Sequence, residues 1–346
     1  MAQSGADPLP ALAEAFAEKN ILFGFAVNDR RLPTDGVYRG LIQKHASIIV
    51  AENAMKWEAL RPAIDQFEFN RANVIVDFAQ ANKMKLRGHT LCWHRGLPWW
   101  FEKTATPQNA HALLTEHIQT VVRHYAGRVH SWDVVNEAIR PEDNLPNGLR
   151  NSIWYRLLGD SYIETAFKEA RKADPRALLT YNDYGLEYDN GTDNRHRDAV
   201  LDLLRRLKQR NVPIDAVGIQ SHLRANHGER YGSGVASFIR QVKKLGLQVF
   251  ITELDVDDSS QPKELKTRDS AVANVYEGYL RATLATADVS AVLCWGVQDP
   301  AQAQSEMKER EDGGLTRPFL FDLAGQPTPA YYSSLDAVKR VPAKQS

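Results

Sequence analysis

The chain has 346 residues, 43% of them hydrophobic and 25% charged, with 43 basic side chains matched by 43 acidic ones. That composition belongs to an ordinary globular protein, and the zero net charge argues against a nucleic acid or an anionic membrane surface as partner. No apolar run reaches the roughly 18 residues a spanning helix needs, so a neutral polymer or a small molecule is the expected partner. The start, Met1-Ala2-Gln3-Ser4-Gly5-Ala6-Asp7, has neither the basic n-region nor the apolar h-region of a signal peptide.

Eight short runs rich in Val, Ile and aromatic residues recur along the chain: Ile21–Asn28, Ser47–Glu52, Lys85–Trp93, Val129–Glu137, Ala177–Asp183, Ala216–His222, Gln248–Asp255 and Ala291–Asp299. Helical patterns lie between them. Leu114, Ile118, Val121, Val122 and Tyr125 fall on one face, as do Val200, Leu203, Leu204 and Leu207, and again Val235, Phe238, Ile239 and Val242. Strands alternating with helices predict parallel pairing through right-handed crossovers, and eight such units close a barrel. The expected fold is therefore α/β, a single-domain (β/α)8 TIM barrel. It fills the whole chain 1–346, with a core from about residue 15 to 340 and no appended carbohydrate-binding module. An open doubly wound sheet would carry a Gly-rich phosphate turn after its first strand, and Phe23-Gly24-Phe25-Ala26 is not one. The polar stretch Asp299–Gly314 reads as a long loop at the active face. Cys92 and Cys294 sit inside strand runs and are expected to be buried free thiols.

In such barrels the C-terminal strand ends carry the chemistry, because all eight open into one mouth. Here those ends hold Glu52-Asn53 with Lys56, then Gly88-His89-Thr90-Leu91-Cys92-Trp93-His94, then Asn136-Glu137. They continue with Asn182-Asp183-Tyr184, Gln220-Ser221-His222, Glu253-Leu254-Asp255 and Trp295. A lone Glu at a strand end is usually solvated or ion-paired, a lone His usually a satisfied core residue, and a lone Trp usually packing. Those readings fail together, since seven of the eight ends are polar or aromatic at once and a core without function would not bury so many polar groups. Amides, imidazoles and carboxylates suit sugar hydroxyls, indoles suit the C–H faces of a pyranose, and glycosidic cleavage needs two carboxyl groups flanking the anomeric carbon. The fourth and seventh strands lie across the barrel, so carboxylates at both ends can face one another over a substrate.

The segments Trp132-Asp133-Val134-Val135-Asn136-Glu137-Ala138, Ile251-Thr252-Glu253-Leu254-Asp255 and Gly88–His94, in that placement on strands, resemble glycoside hydrolase family 10, the endo-β-1,4-xylanases. The resemblance covers nearly the whole chain. It implies a retaining double displacement on xylan with no cofactor and no metal, in which Glu137 is the acid/base and Glu253 the nucleophile. His222 would hydrogen-bond Glu253, Asp255 would fix the His222 tautomer, and Asn136 would bind the 2-hydroxyl beside the cleavage point. Glu52, Asn53, Lys56, His89 and Gln220 match positions that hold sugars on the non-reducing side, with Trp93 and Trp295 as stacking walls. Tyr184 matches a platform on the leaving-group side, and His94 a supporting position. The competing role for Lys56 is an ion pair with Glu52. A monomer that is secreted or periplasmic is expected, since xylan cannot enter a cell.

Two departures from the family pattern bear on specificity. The family usually has Gln two residues after the His that ends the third strand, where this chain has Gly96, and a second Trp about eight residues after Trp295, near Ala303, where none is present. Both normally crowd the non-reducing side, so a roomier site is expected there, more tolerant of glucose-type or decorated sugars. The rival readings are a β-glucanase or cellobiosidase-type enzyme on the same two glutamates, a carbohydrate-binding barrel without catalysis, and a metal-dependent hydrolase using His89, His94 and His222. Strand alternation turns His89 and His94 to opposite faces, which disfavours the last.

Overall fold

The computed structural model describes residues 9–226, 230–300 and 310–341. Among the described residues the β-type runs form nine strands: β1 (Leu22–Val27), β2 (Ile48–Ala51), β3 (Lys85–Cys92), β4 (Ser131–Asn136), β5 (Leu178–Asp183), β6 (Ala216–Ile219), β7 (His222–Arg224), β8 (Gln248–Asp257) and β9 (Val289–Cys294). Their pairings are parallel, β1 bonding β2 on one side and β9 on the other while β6 bonds both β5 and β8, so the sheet closes on itself. The ninth strand arises because the sixth expected run, Ala216–His222, breaks in two. Ser221 takes φ 67°, outside β geometry, and β7 then resumes beside β8 with His222 opposite Asp255. The eighth strand also ends sooner than expected, at Cys294.

Alternation divides the strand residues between two layers. Phe25, Val27, Ile49 and Val217 belong to the large core under the helices, whereas Ala26, Ile48, Val50, Ala216, Phe250 and Leu293 form a separate cluster filling the barrel interior. The helices Ala110–His124, Gly191–Gln209 and Ser233–Lys244 bury the stripes expected of them. Cys92 and Cys294 are free and buried. Among the described residues no helix is long and apolar enough to cross a membrane.

Two arrangements in this frame support the cleft above it. Inside the barrel the fully buried Arg87 lies over Phe250 at 5.1 Å and pairs with Asp133, a burial that is tolerable only because the charge has partners. The other Asp133 oxygen bonds His89 Nδ1 at 3.0 Å, orienting the imidazole from beneath. At the rim, helix Gly36–His45 begins at Asp35, whose carboxylate accepts from Tyr38 N at 2.9 Å. The Tyr38 hydroxyl accepts from Asn28 N at 3.0 Å, and Asn28 Nδ2 donates to Glu52 at 3.1 Å.

Candidate active site

Above the C-terminal strand ends opens a cleft of about 1470 Å³, larger than the roughly 300–1,000 Å³ typical of small-ligand pockets. All fourteen residues given a site role from the sequence line it. They come from, or just beyond, the strands β2 to β9, which is what a mouth shared by parallel strands provides.

Glu253, on β8, is 4% exposed and each of its oxygens has a donor. Oε1 accepts from Asn182 Nδ2 at 2.7 Å, and Oε2 lies 3.1 Å from His222 Nε2. His222 Nδ1 is in turn 2.9 Å from Asp255 Oδ2, a contact that follows from the His222–Asp255 register of β7 and β8. Desolvation opposes charge on this imidazole, but the carboxylates of Asp255 and Glu253 outweigh it and hold its pKa well above 6.5. Burial likewise pushes Glu253 upward, and the bond from His222, the neighbouring imidazoles and the Asn182 amide bring it below the usual carboxylate value instead.

Sequence reasoning did not assign a role to Asn182, yet it ties the site together. Its Nδ2 also donates to Asn136 Oδ1 at 2.8 Å, and its Oδ1 accepts from Thr252 Oγ1 at 2.7 Å. Thr252 and Glu253 are consecutive, so strict alternation would send them to opposite faces. The register shift between Ile251 and Leu254 in the β8–β9 ladder lets both reach the same amide. Gly218, on the adjacent β6, makes room, because a Cβ there would lie 2.1 Å from Asn182 Oδ1. The available signal was a buried Asn in the run Tyr181-Asn182-Asp183, next to the Gly218 strand.

Glu137 follows β4 with φ 58°, a left-handed conformation uncommon for residues other than glycine. Its Oε1 accepts from Gln220 Nε2 at 3.1 Å and Asn136 Nδ2 at 3.2 Å. Gln220, expected along the non-reducing wall, therefore contacts Glu137 in this arrangement. His94 Nδ1 and Arg150 Nη2 stand off from Oε2 at 3.8 and 3.9 Å. Burial raises the Glu137 pKa, the charges of Asp183 and Glu253 push the same way, and the N–H groups of Trp93 and Gln220 only partly oppose them. Arg150, a second residue without an expected role, donates to the Tyr184 hydroxyl at 2.7 Å and to the Glu137 carbonyl at 2.6 Å.

Along the opposite wall Asn53 Nδ2 donates to Glu52 at 2.9 Å, and Lys56 Nζ reaches Asn53 Oδ1 at 2.8 Å and lies 5.3 Å over the Trp93 ring. Lys56 thus contacts Asn53 and Trp93 rather than Glu52. Trp295 meets His89 edge to face at 5.2 Å. Gly96 has φ 61°, and a Cβ there would touch Lys56 Cβ and Trp93 Cε3 at 3.5 Å. The position near Ala303 lies outside the described residues. Among the described residues no three His, Cys, Asp or Glu side chains gather as metal ligands.

A family model described as Glycosyl hydrolase family 10 matches residues 11–337. Endo-1,4-beta-xylanase A of Thermoanaerobacterium saccharolyticum is 36% identical over 340 residues, spanning 93% of this chain and 27% of the relative. Exoglucanase XynX of Acetivibrio thermocellus is 34% identical over 352 residues, spanning 98% of this chain and 30% of the relative. The chain therefore accounts for less than a third of the length of either. Among solved structures, xylanase 10B from Thermotoga petrophila RKU-1 in complex with xylobiose superposes with a TM-score of 0.85 at 31% identity, covering 97% of this chain and 99% of that one. A family match along almost the entire chain, on a closed parallel barrel, establishes that the chain belongs to glycosyl hydrolase family 10 and is a glycoside hydrolase.

Proposed function

We propose that the protein is a retaining endo-β-1,4-xylanase. The observation that carries this reading is the divergence of two linked carboxyl groups: Glu137 is pushed up and Glu253 held down, and the chain Glu137–Asn136–Asn182–Glu253 connects them by hydrogen bonds. Glu253 attacks the anomeric carbon as the bond to the leaving oxygen breaks, and Glu137 delivers its proton to that oxygen. The glycosyl ester removes the Glu253 charge, which lowers the Glu137 pKa. Glu137 then takes a proton from the water that attacks the anomeric carbon, freeing the sugar and restoring both groups. Asn136 binds the 2-hydroxyl, with its carbonyl already occupied by Asn182 and its amide N–H turned toward Glu137. His222, oriented by Asp255, keeps Glu253 ionised. Glu52, Asn53, Lys56, His89 and Gln220 hold the non-reducing sugars between Trp93 and Trp295, and Tyr184 supports the leaving group. The enzyme works as a monomer outside the cytoplasm, where a polymer too large to cross a membrane is met.

NMR of the anomer first released from a xylo-oligosaccharide tests the mechanism. Retention requires the β-anomer, and initial release of the α-anomer, or hydrolysis that survives Glu253→Ala, would refute it.

A second reading, tolerance of glucose-type sugars on the non-reducing side, is favoured by Gly96. A side chain there would stand against Lys56 and Trp93, and one omitted contact shifts selectivity by roughly 10–200-fold. Comparing kcat/KM for aryl xylobioside and aryl cellobioside decides it. A xylo-preference as steep as in relatives carrying both missing side chains counts against it.

A further inference from the structure

The joint at which the sixth expected strand breaks lies between the two carboxyl groups, and side chains outside the mechanism hold its backbone. Ile219 pairs with Ile251 and His222 with Asp255, so three steps along β6 and β7 must match four along β8. Ser221 absorbs the mismatch at φ 67°, a left-handed conformation costly for a residue with a Cβ. Its neighbours on either side are the groups that meet the two glutamates. Gln220 donates to Glu137 Oε1, and His222 lies against Glu253 Oε2. A rotation at Ser221 therefore moves both contacts at once.

Three other elements hold this residue. Its N–H donates to Glu187 Oε1 at 2.9 Å, its carbonyl accepts from Asp255 N at 3.3 Å, and its hydroxyl meets the Tyr279 hydroxyl at 2.8 Å. Glu187 is buried in the segment between β5 and helix Gly191–Gln209, and Tyr279 is buried on helix Leu265–Leu284. The second Glu187 oxygen accepts from Leu186 N at 2.7 Å, so both oxygens are spent on backbone N–H groups rather than on a cation. Burial pushes this carboxyl up to about 7; Asp193 acts the same way, while the two N–H groups and His222 oppose it. The titratable groups facing it are Asp193 and His196 from helix Gly191–Gln209, His222 from β7 and Tyr279. Burying a carboxyl is costly, and the bond this one makes to a distant strand end goes to the Ser221 turn.

We propose that Glu187 is a positioning residue that, with Tyr279, clamps the left-handed Ser221 and thereby sets Gln220 against Glu137 and His222 against Glu253. Its effect on the reaction runs through those two side chains. The inference rests on the retaining xylanase reading and adds a residue to its machinery.

Steady-state kinetics on an aryl xylobioside across pH test the clamp in Glu187→Ala, Glu187→Gln and Tyr279→Phe. Active enzyme is counted in each by the burst from a dinitrophenyl 2-fluoro-xylobioside, which traps the glycosyl-enzyme. Glu187→Ala leaves a buried N–H unpaired and releases the turn, so kcat should fall roughly 5- to 150-fold while KM changes by less than about threefold. Glu187→Gln, which keeps one acceptor oxygen, and Tyr279→Phe should each lose less. Both limbs of the kcat/KM profile should move to higher pH. Glu253 loses the His222 contact that holds its pKa down, and Glu137 loses the Gln220 N–H that opposes its raised value. Loss of the Glu187 charge by itself would move both limbs the other way, since it removes a like charge. A fall in kcat with unmoved limbs, limbs displaced to lower pH, or wild-type kinetics in Glu187→Ala overturns the clamp alone. If Glu187→Ala does not fold, Glu187→Gln and Tyr279→Phe are judged by the same limbs. A wild type that does not hydrolyse the xylobioside, or gives no burst, overturns the retaining xylanase reading and the clamp with it.

Discussion

Replacing Asn182 with alanine removes the bridge between the two halves of the proposed catalytic pair. It deletes the 2.7 Å bond to Glu253 Oε1 and the 2.8 Å bond to Asn136 Oδ1. The Thr252 hydroxyl is not stranded, because it retains Ile219 O at 3.2 Å. A hydrogen bond to a charged group contributes about 1.5–3 kcal/mol, so kcat/KM should fall roughly 10- to 150-fold at about 1.4 kcal/mol per decade. The change is expected mainly in kcat, since Asn182 does not line the cleft. It also has a sign in pH. Asn182 helps hold the Glu253 pKa below its ordinary value, so its loss raises that pKa and moves the acid limb of the kcat/KM profile toward higher pH. Steady-state kinetics on an aryl xylobioside across the acid range read both effects. A loss smaller than threefold with an unmoved acid limb would refute the bridging role.

Gly218→Ala should reproduce the defect from the other side, since its Cβ would sit 2.1 Å from Asn182 Oδ1 and 2.8 Å from Thr252 Cγ2. Overpacking of this kind costs about 1–3 kcal/mol, to be read as a lowered denaturation midpoint alongside lost activity. Glu137→Ala should cost roughly 10²–10⁴-fold on xylan but far less on a dinitrophenyl glycoside, whose leaving group needs no proton, with added azide restoring turnover. Asp35→Ala should lower stability by about 1 kcal/mol through loss of the helix cap, measured by denaturant unfolding. The Tyr38 N–H and Arg31 hold the Asp35 pKa below 3.8. Its contribution is therefore complete above that value, and the gap between variant and wild type should close as pH falls through the lowered folded pKa.

Periodicity made the barrel legible, because its strands are β-branched runs buried on both faces and its helices carry narrow apolar stripes. Residue types at the strand ends marked the cleft. What escaped were features set by backbone irregularity and by lateral neighbours. The break of the sixth strand at Ser221 depends on a left-handed φ, which no hydrophobic pattern encodes. The bridging role of Asn182 depends on the β8 register shift and on the space left by Gly218 one strand away. Arg150 reaches Glu137 from a segment 13 residues downstream. For Lys56 the sequence offered Glu52 as the competing partner, and only the rim geometry directs the amine to Asn53.

Two glutamates with the same intrinsic chemistry must behave differently, and each has a histidine of opposite character beside it. His222 lies between Asp255 and Glu253, which together keep it protonated well above 6.5, so Glu253 faces a cation that favours its ionised form. His94 is half-buried, its Nδ1 lacks a hydrogen-bond partner, and it is driven to about 3 by desolvation and by Arg150, Arg95 and Arg140. It is therefore neutral at 3.8 Å from Glu137 and offers that carboxyl no counter-charge. Burial then governs Glu137 and raises its pKa, favouring the protonated form. The asymmetry need not be rebuilt during turnover. In the proposed double displacement, esterification would cancel the Glu253 charge, one of the causes raising the Glu137 pKa, so Glu137 would become a better base at the step that requires one.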